Sequence, residues 1–344
     1  MSRILFLSMY PLQVLDSAPK VRSFFLHQEL NKIEKTDLIS GTRWKRTLKL
    51  GKYIFNGNFS KLRFIYVESS TTIGSPLELF FLFVSKVLNK KIFMYIRDAY
   101  PLFPEEFPVG NIKTQLLYWG WKVSISVYKS VGTKLLFPTR ELANLFKLSK
   151  SKIGLLPPGA NVFKSVSIPM LSHKIGYLGE LSSQTGYELM IEALKKVRKQ
   201  FSDAQLIIVT RRDEVKNIKE DFFEYRFAQA QDIDKVLSDC SICLIARPIK
   251  GYNLLTLPVK LFDYMALGKA VVTTDLPAVA KIVEAEGIGL IAEDSAENIA
   301  NKIIALLKDQ NRLKEAQENA FKAIRDKHSW AHRAKDLYQI LNNA

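Results

Sequence analysis

Cysteine is nearly missing from this chain: there are two in 344 residues, with four histidines beside them. Two thiols cannot build a disulfide framework, so a reducing cytoplasm is the default setting. They stand as Cys240-x-x-Cys243 inside DCSICLIA, a run that reads as a buried strand. One such pair does not complete a zinc site, and the histidines lie far from it in sequence. Core thiols are therefore preferred over a redox or metal motif. No apolar run approaches the length that spans a bilayer. Met1 to Leu15 is apolar but is broken by Ser8, Pro11 and Gln13, and it has no small-residue cleavage site. It reads as a first strand and its loop rather than a signal peptide. The Gly-x-Gly-x-x-Gly fingerprint of dinucleotide binding is absent. So are repeats and low-complexity segments.

Acidic residues are also scarce, but only in places. Residues 41–64 hold Arg43, Lys45, Arg46, Lys49, Lys52, Lys61 and Arg63 with no acid, and Trp44, Tyr53, Phe55, Phe59 and Phe64 are interleaved. A second acid-free stretch, residues 112–131, carries Tyr118, Trp119, Trp121 and Tyr128 among its lysines. Residues 1–160 have 24 Lys/Arg against 10 Asp/Glu, while the remainder has 26 against 24. Nearly all of the net charge of +16 thus lies in the first half, which points to a partner with an acidic surface. Cations mixed with aromatics suit an anionic membrane or a nucleic acid. The membrane is preferred, since nothing here resembles a nucleic-acid-binding fold. A solvated loop with a few anchoring aromatics is the plain alternative.

The length allows two ordinary domains, and a hydrophobic content of 47% excludes disorder. RILFLSMY, FIYVESS and KKIFMYIRDAYP read as strands, and VRSFFLHQELNKI and PLELFFLFVSKVLN as helices. This alternation is that of a doubly wound α/β domain. Ligands in such sheets sit beyond the carboxyl ends of the strands, which favours Arg97 and Asp98. A loop or helix cap is the plain reading of Asp98. Arg22, at the start of the first helix, either reaches a phosphate or is solvated.

The most informative stretch is Thr256 to Asp275, TLPVKLFDYMALGKAVVTTD. Thr256 is suited to cap a helix and Pro258 to sit in its first turn. Val259, Phe262, Met265 and Ala266 recur at helical spacing. Gly268 closes the helix as a left-handed cap, and Ala270 to Thr273 reads as a buried strand. The free N–H groups at the helix start form an anion site. Lys260 and Asp263 are three apart and share a face. The cation suits a phosphate and the carboxylate suits ribose hydroxyls; an amphipathic helix with solvated charges is the alternative.

PVKLFDYMALGKAVVTTD resembles the helix and strand of family 4 glycosyltransferases, whose usual text is close to P-x-K-L-x-E-Y-M-A-x-G-K-P-V-V. The resemblance extends along most of the chain. LLPPGANV is similar to the family's closing loop L-P-N-G-V-D, and IRDAYP to the R-D-x-W-P segment of one branch. SWAHRAKDLYQILN resembles the helix that crosses back onto the first domain. The resemblance implies an α/β architecture of GT-B type, with two doubly wound Rossmann-like domains facing each other across a cleft. Residues 1–165 would bind the acceptor, residues 166–328 the nucleotide-sugar, and residues 329–344 would cross back. It further implies a retaining, hexosyltransferase-type glycosyltransferase that uses a nucleotide-sugar and no metal or other cofactor. The acceptor would be lipid-linked or a cell-surface glycan precursor. The protein would lie in the cytoplasm, peripheral to the inner face of the cell membrane, with no nucleic-acid partner.

By the same resemblance Asp263 holds the ribose, and Gly179, Arg211, Thr256 and Leu257 line the donor. Arg97, Asp98 and Lys260 are the catalytic candidates. Arg22, Arg43, Lys45, Arg46 and Lys49 form the acceptor or membrane face. The chain departs from the family at three positions. Glu180 and Thr185 stand where G-R-L-x-x-x-K-G has its Arg and Lys, and Leu255 stands where the first acid of Glu-x7-Glu belongs. A carboxylate beside a diphosphate repels it. Arg247, Lys250 and Lys260 are therefore expected to replace the missing cations. The departures also fit a GT-B protein that no longer catalyses and serves as the binding partner of an active enzyme.

Overall fold

A computed structural model describes residues 3–70, 74–108, 110–163, 172–210, 220–228 and 232–344. The chain divides into two compact units, Met1–Pro157 with Trp330–Ala344, and Pro158–Ser329. The first unit has six parallel strands: β1 (Arg3–Ser8), β2 (Thr36–Ile39), β3 (Leu62–Glu68), β4 (Lys91–Tyr95), β5 (Lys134–Phe137) and β6 (Ile153–Leu155). Their order is β2-β1-β3-β4-β5-β6. The connecting helices are α1 (Ala18–Ile33), α2 (Arg43–Phe55), α3 (Pro76–Val87), α4 (Ile112–Val131) and α5 (Arg140–Asn144). Residues 4–7, 64–67 and 92–95 are buried, as a parallel sheet covered on both faces requires.

The crossovers after β2, β3 and β4 all step in one direction along the sheet, while the one after β1 steps back. Right-handed connection therefore puts α2, α3 and α4 side by side on one face and α1 on the other. The basic stretch at 43–55 is a helix rather than a loop, because Arg46, Leu50 and Tyr53 recur at helical spacing and face the core.

The second unit is also all parallel: β7 (Lys174–Leu178), β8 (Gln205–Thr210), β9 (Phe223–Phe227), β10 (Ile242–Ile245), β11 (Ala270–Thr274) and β12 (Gly289–Ala292). Its order is β12-β11-β10-β7-β8-β9. Its helices are α6 (Tyr187–Val197), α7 (Ile233–Val236), α8 (Val259–Ala266), α9 (Pro277–Glu286), α10 (Ala296–Lys308) and α11 (Gln310–Ala323). The final helix, α12 (Trp330–Asn342), belongs to the first unit and packs on α1. Cys240 and Cys243 are fully buried core thiols, and burial pushes Cys240 up to about 12.

Each sheet has one point where the chain switches direction: between β1 and β3 in the first unit, and between β7 and β10 in the second. The crevice beyond the strand ends at such a point is where doubly wound sheets bind ligands.

Candidate active site

In the second unit the loops leaving β7 and β10 bound the switch point. Helix α8 follows them. Leu261, Phe262, Tyr264, Met265 and Ala266 are buried, so Lys260 and Asp263 share the partly exposed side. Tyr264 fixes the helix in place. Its hydroxyl accepts from the Leu178 N–H at 2.8 Å and donates to the Leu244 carbonyl at 3.3 Å. One buried phenol thus ties α8 to both strands of the switch. Lys260 Nζ lies 3.9 Å from the centroid of the Tyr177 ring, a cation–π contact. The same ammonium is 3.0 Å from where a Cβ would stand on Gly179, whose φ is +130°. The positive φ is what calls for glycine there, since the lysine tip could shift.

Arg247 follows β10. Its Nη1 donates to Thr256 Oγ1 at 3.2 Å, and its Nε is buried with no partner among the described residues. The expected capping role of Thr256 is not found. Pro258 is extended and α8 begins only at Val259. Two residues upstream, the Thr256 hydroxyl donates to the Asn253 carbonyl at 2.9 Å, closing the 3₁₀ turn Gly251–Leu255. Leu257 is buried in the core, and Lys250 is exposed at the start of that turn. Arg211 lies outside the described residues. Gly268, with φ +59°, ends the helix as the sequence implies.

The loop between β7 and α6 is held by its own polar groups. The Thr185 hydroxyl accepts from the Ser182 N–H at 2.8 Å, and Tyr177 Oη donates to the Glu180 carbonyl at 3.0 Å. Asn253 Nδ2 bridges the carbonyls of Gln184 and Pro248, each at 3.1 Å. A Cβ on Gly186 would fall 1.7 Å from the Ala246 carbonyl oxygen, so this loop rests directly on the end of β10. Thr185 therefore shapes the loop, and the Glu180 side chain is exposed. Tyr177, Tyr264 and Asn253 do not stand out in the sequence as positioning residues. The one available signal was a tyrosine inside a buried run, which needs a partner for its hydroxyl.

In the first unit Arg97 and Asp98 follow β4. Arg97 Nε donates to Asp98 Oδ2, and the guanidinium stands 5.6 Å from the Tyr10 ring centroid. Burial opposes the Arg97 charge, but Asp98, Tyr10 and Tyr100 hold its pKa well above the ordinary value. Arg97 Nη1 is buried without a partner among the described residues.

Two members of the expected acceptor or membrane face are interior instead. Arg22 is 1% exposed; its Nε donates to Glu68 Oε1 at 3.1 Å and its Nη1 to the Pro157 carbonyl at 3.2 Å. Arg46 donates to the two Glu78 oxygens at 2.6 and 3.4 Å, and to the carbonyls of Met9 and Gly41. The reason is that Glu68 and Glu78 are themselves buried and demand cationic partners. Arg43, Lys45 and Lys49 are exposed on α2, with Arg43 reaching the Gly74 carbonyl and Lys49 the Ser40 carbonyl. Among the described residues no three His, Cys, Asp or Glu side chains gather into a metal-binding group.

The family model of group 1 glycosyl transferases matches residues 172–309. Among curated protein sequences none matches the chain. Solved structures do. Sucrose-phosphate synthase from Thermosynechococcus elongatus superposes with a TM-score of 0.68 at 14% identity, covering 100% of this chain and 99% of that one. Anabaena HepE in complex with UDP and glucose gives 0.69 at 13% identity, covering 100% of both chains. WaaG, a glycosyltransferase involved in lipopolysaccharide biosynthesis, gives 0.69 at 12% identity, covering 99% and 100%. The structures show the fold, GT-B. The family match makes residues 172–309 a group 1 glycosyltransferase domain. The chain thus has the GT-B fold and carries, over residues 172–309, a glycosyltransferase domain.

Proposed function

We propose that the protein moves a sugar from a nucleotide-sugar to an acceptor hydroxyl with retention of configuration. The observation that carries this reading is Arg247 Nε, buried and without a partner among the described residues, in the loop that leaves β10 at the second unit's switch point. An unmet buried N–H is costly, and a diphosphate oxygen would satisfy it with a charge-assisted bond. The diphosphate gains charge as its bond to the anomeric carbon breaks. Arg247, Lys250 and Lys260 meet that charge, in place of a metal. The new bond forms from the acceptor oxygen, whose proton passes to the departing phosphate oxygen. Asp263, one turn from Lys260, holds the ribose hydroxyls. The Arg97–Asp98 pair of the first unit serves the acceptor, which is lipid-linked or a cell-surface glycan precursor. The protein works peripherally at the inner face of the membrane.

UDP is the first nucleotide to try, because HepE, which shares the fold, is seen with it. The test is a thermal-shift comparison of UDP, GDP, ADP and CMP, followed by hydrolysis of the matching nucleotide-sugars without acceptor. One nucleotide should raise the melting temperature, since it binds only the native state. Its sugar conjugate should be hydrolysed slowly. Stabilisation with no hydrolysis or transfer would instead indicate a protein that binds without catalysing, and no stabilisation by any nucleotide would overturn the reading.

A further inference from the structure

Three helices of the first unit carry, on their outward sides, what a globular surface usually hides. On α2 the core-facing residues are Arg46, Leu50 and Tyr53; on the opposite side Trp44, Leu48 and Phe55 are 71%, 56% and 90% exposed. On α3, Phe81 and Leu82 face inward while Phe80, Phe83 and Val87 are 62%, 58% and 64% exposed. On α4, Ile125 and Tyr128 face inward while Ile112, Leu116 and Trp119 are 75%, 63% and 64% exposed. Within each helix the exposed set recurs at helical spacing and forms a stripe. The helices lie side by side on one face of the sheet, with α3 touching both α2 and α4. Single exposed apolar residues need no explanation, but three adjacent stripes form a patch that does.

The charge around the patch selects its occupant. Helices α2 and α4 contain no acid, and the one acid of α3, Glu78, is buried against Arg46. Lys45, Lys49 and Lys52 are exposed beside the α2 stripe, Lys86 on α3, and Lys113 and Lys122 on α4. Aromatic and aliphatic groups ringed by lysines match the headgroup boundary of an anionic bilayer. The rings settle at the acyl edge and the lysine stems reach the phosphates. No helix among the described residues is long and apolar enough to cross a membrane, so the contact is with the surface.

We propose that the outer face of α2, α3 and α4 inserts into anionic phospholipid. The purpose of this insertion rests on the lipid-linked acceptor proposed above. Two forces act in sequence: the lysines draw the protein to the surface, and burial of the stripes holds it there. Salt screens the first and not the second.

The experiment is co-sedimentation with phosphatidylcholine vesicles, with and without phosphatidylglycerol, at low and high salt. Wild type should bind the anionic vesicles and keep part of that binding at high salt. F80S/F83S should lower partitioning by roughly a hundredfold and abolish the salt-resistant part, because each buried ring contributes about tenfold or more. K45Q/K49Q/K52Q should lower binding at low salt by roughly tenfold or more and leave the salt-resistant fraction in place. Nucleotide-sugar hydrolysis by F80S/F83S without acceptor should equal that of wild type. Wild type that stays in the supernatant at low salt overturns the insertion face, even where hydrolysis is normal. Anionic-vesicle binding lost in F80S/F83S supports the face, even where no nucleotide-sugar is hydrolysed and the transferase reading falls. Light scattering without lipid gives the remaining outcome. A wild-type dimer that becomes monomeric in F80S/F83S would assign the patch to a second copy of the chain and overturn the proposal.

Discussion

The two units share a plan of six parallel strands around one switch point, but they use charge in opposite ways. In the first unit Arg22 is ion-paired with Glu68 and Arg46 with Glu78, although Arg22 Nη2 and Arg97 Nη1, like Arg247 Nε, have no partner among the described residues. In the second unit Arg247 meets a hydroxyl, and its Nε meets nothing among the described residues. Lys260 rests on the face of Tyr177. A cation held by a buried carboxylate is a strut, whereas Arg247, held by a hydroxyl, keeps its charge for an anion. The outer surfaces differ as well. Of the nineteen large apolar side chains exposed among the described residues, seventeen belong to the first unit. Surface ion pairs occur in both units, as in Lys20–Asp16 and Lys32–Glu29 of the first, but the second holds more of them among the described residues, Lys196–Glu297 and Lys174–Asp239 included. The fold is common to both; local charge balance separates scaffold from site.

The contrast breaks most visibly when a strut loses one partner. Arg46→Met leaves the buried Glu78 charge with the Ser75 N–H but no cation, at a cost of roughly 3–5 kcal/mol, and Glu78→Met in addition should recover part of it while giving up that capping bond. Denaturant titration checks both variants; a single variant as stable as wild type would remove the distinction between strut and site. The second unit should respond the other way. Arg247→Gln with Lys260→Gln should leave stability nearly unchanged yet lower turnover by at least an order of magnitude, each donor being worth roughly 3 kcal/mol. A near-normal kcat in that double variant would move the diphosphate grip to Arg97. Asp263→Ala should weaken nucleotide binding by roughly 2 kcal/mol through lost charge-assisted bonds. Calorimetry on the folded variant reads this, and an unchanged Kd would end the ribose role.

Much of this molecule is legible in the sequence because parallel strands are buried on both faces and read as unbroken apolar runs. The core side of α8 and the left-handed Gly268 are legible for similar local reasons. What is not legible depends on distant partners. Thr256 looks like a cap until Arg247, nine residues earlier, takes its hydroxyl. Arg22 and Arg46 look like surface cations until Glu68 and Glu78, 46 and 32 residues away, draw them inward. In α3 an inward and an outward apolar stripe merge in the sequence into one strongly apolar helix, so the outward stripe does not show. Strand β9 is partly exposed along its length, so it gives no continuous run to recognise.

The smallest effect sharpens the comparison most, because it asks what an exposed ion pair is worth beside the buried struts. Asp239 lies between α7 and β10 and accepts from Arg226 Nη1 and Nη2 at 2.6 and 2.9 Å, and from Lys174 Nζ at 2.8 Å. The Arg226 hydrogen bonds hold its carboxyl well below the ordinary carboxylate range, against the opposing effect of partial burial. A depressed folded pKa stabilises the protein in full above the unfolded value of about 3.9, and the gain fades as pH falls from there toward the folded value. The Asp239 side chain is 38% exposed, so solvent screens the pair and the gain is roughly 1 kcal/mol or less. Asp239→Asn should therefore be slightly less stable than wild type at neutral pH, and the two stability curves should converge below about pH 4. A gap that persists unchanged into acid would trace the loss to packing rather than charge, and the second unit's surface pairs would then count for nothing beside the buried ones of the first.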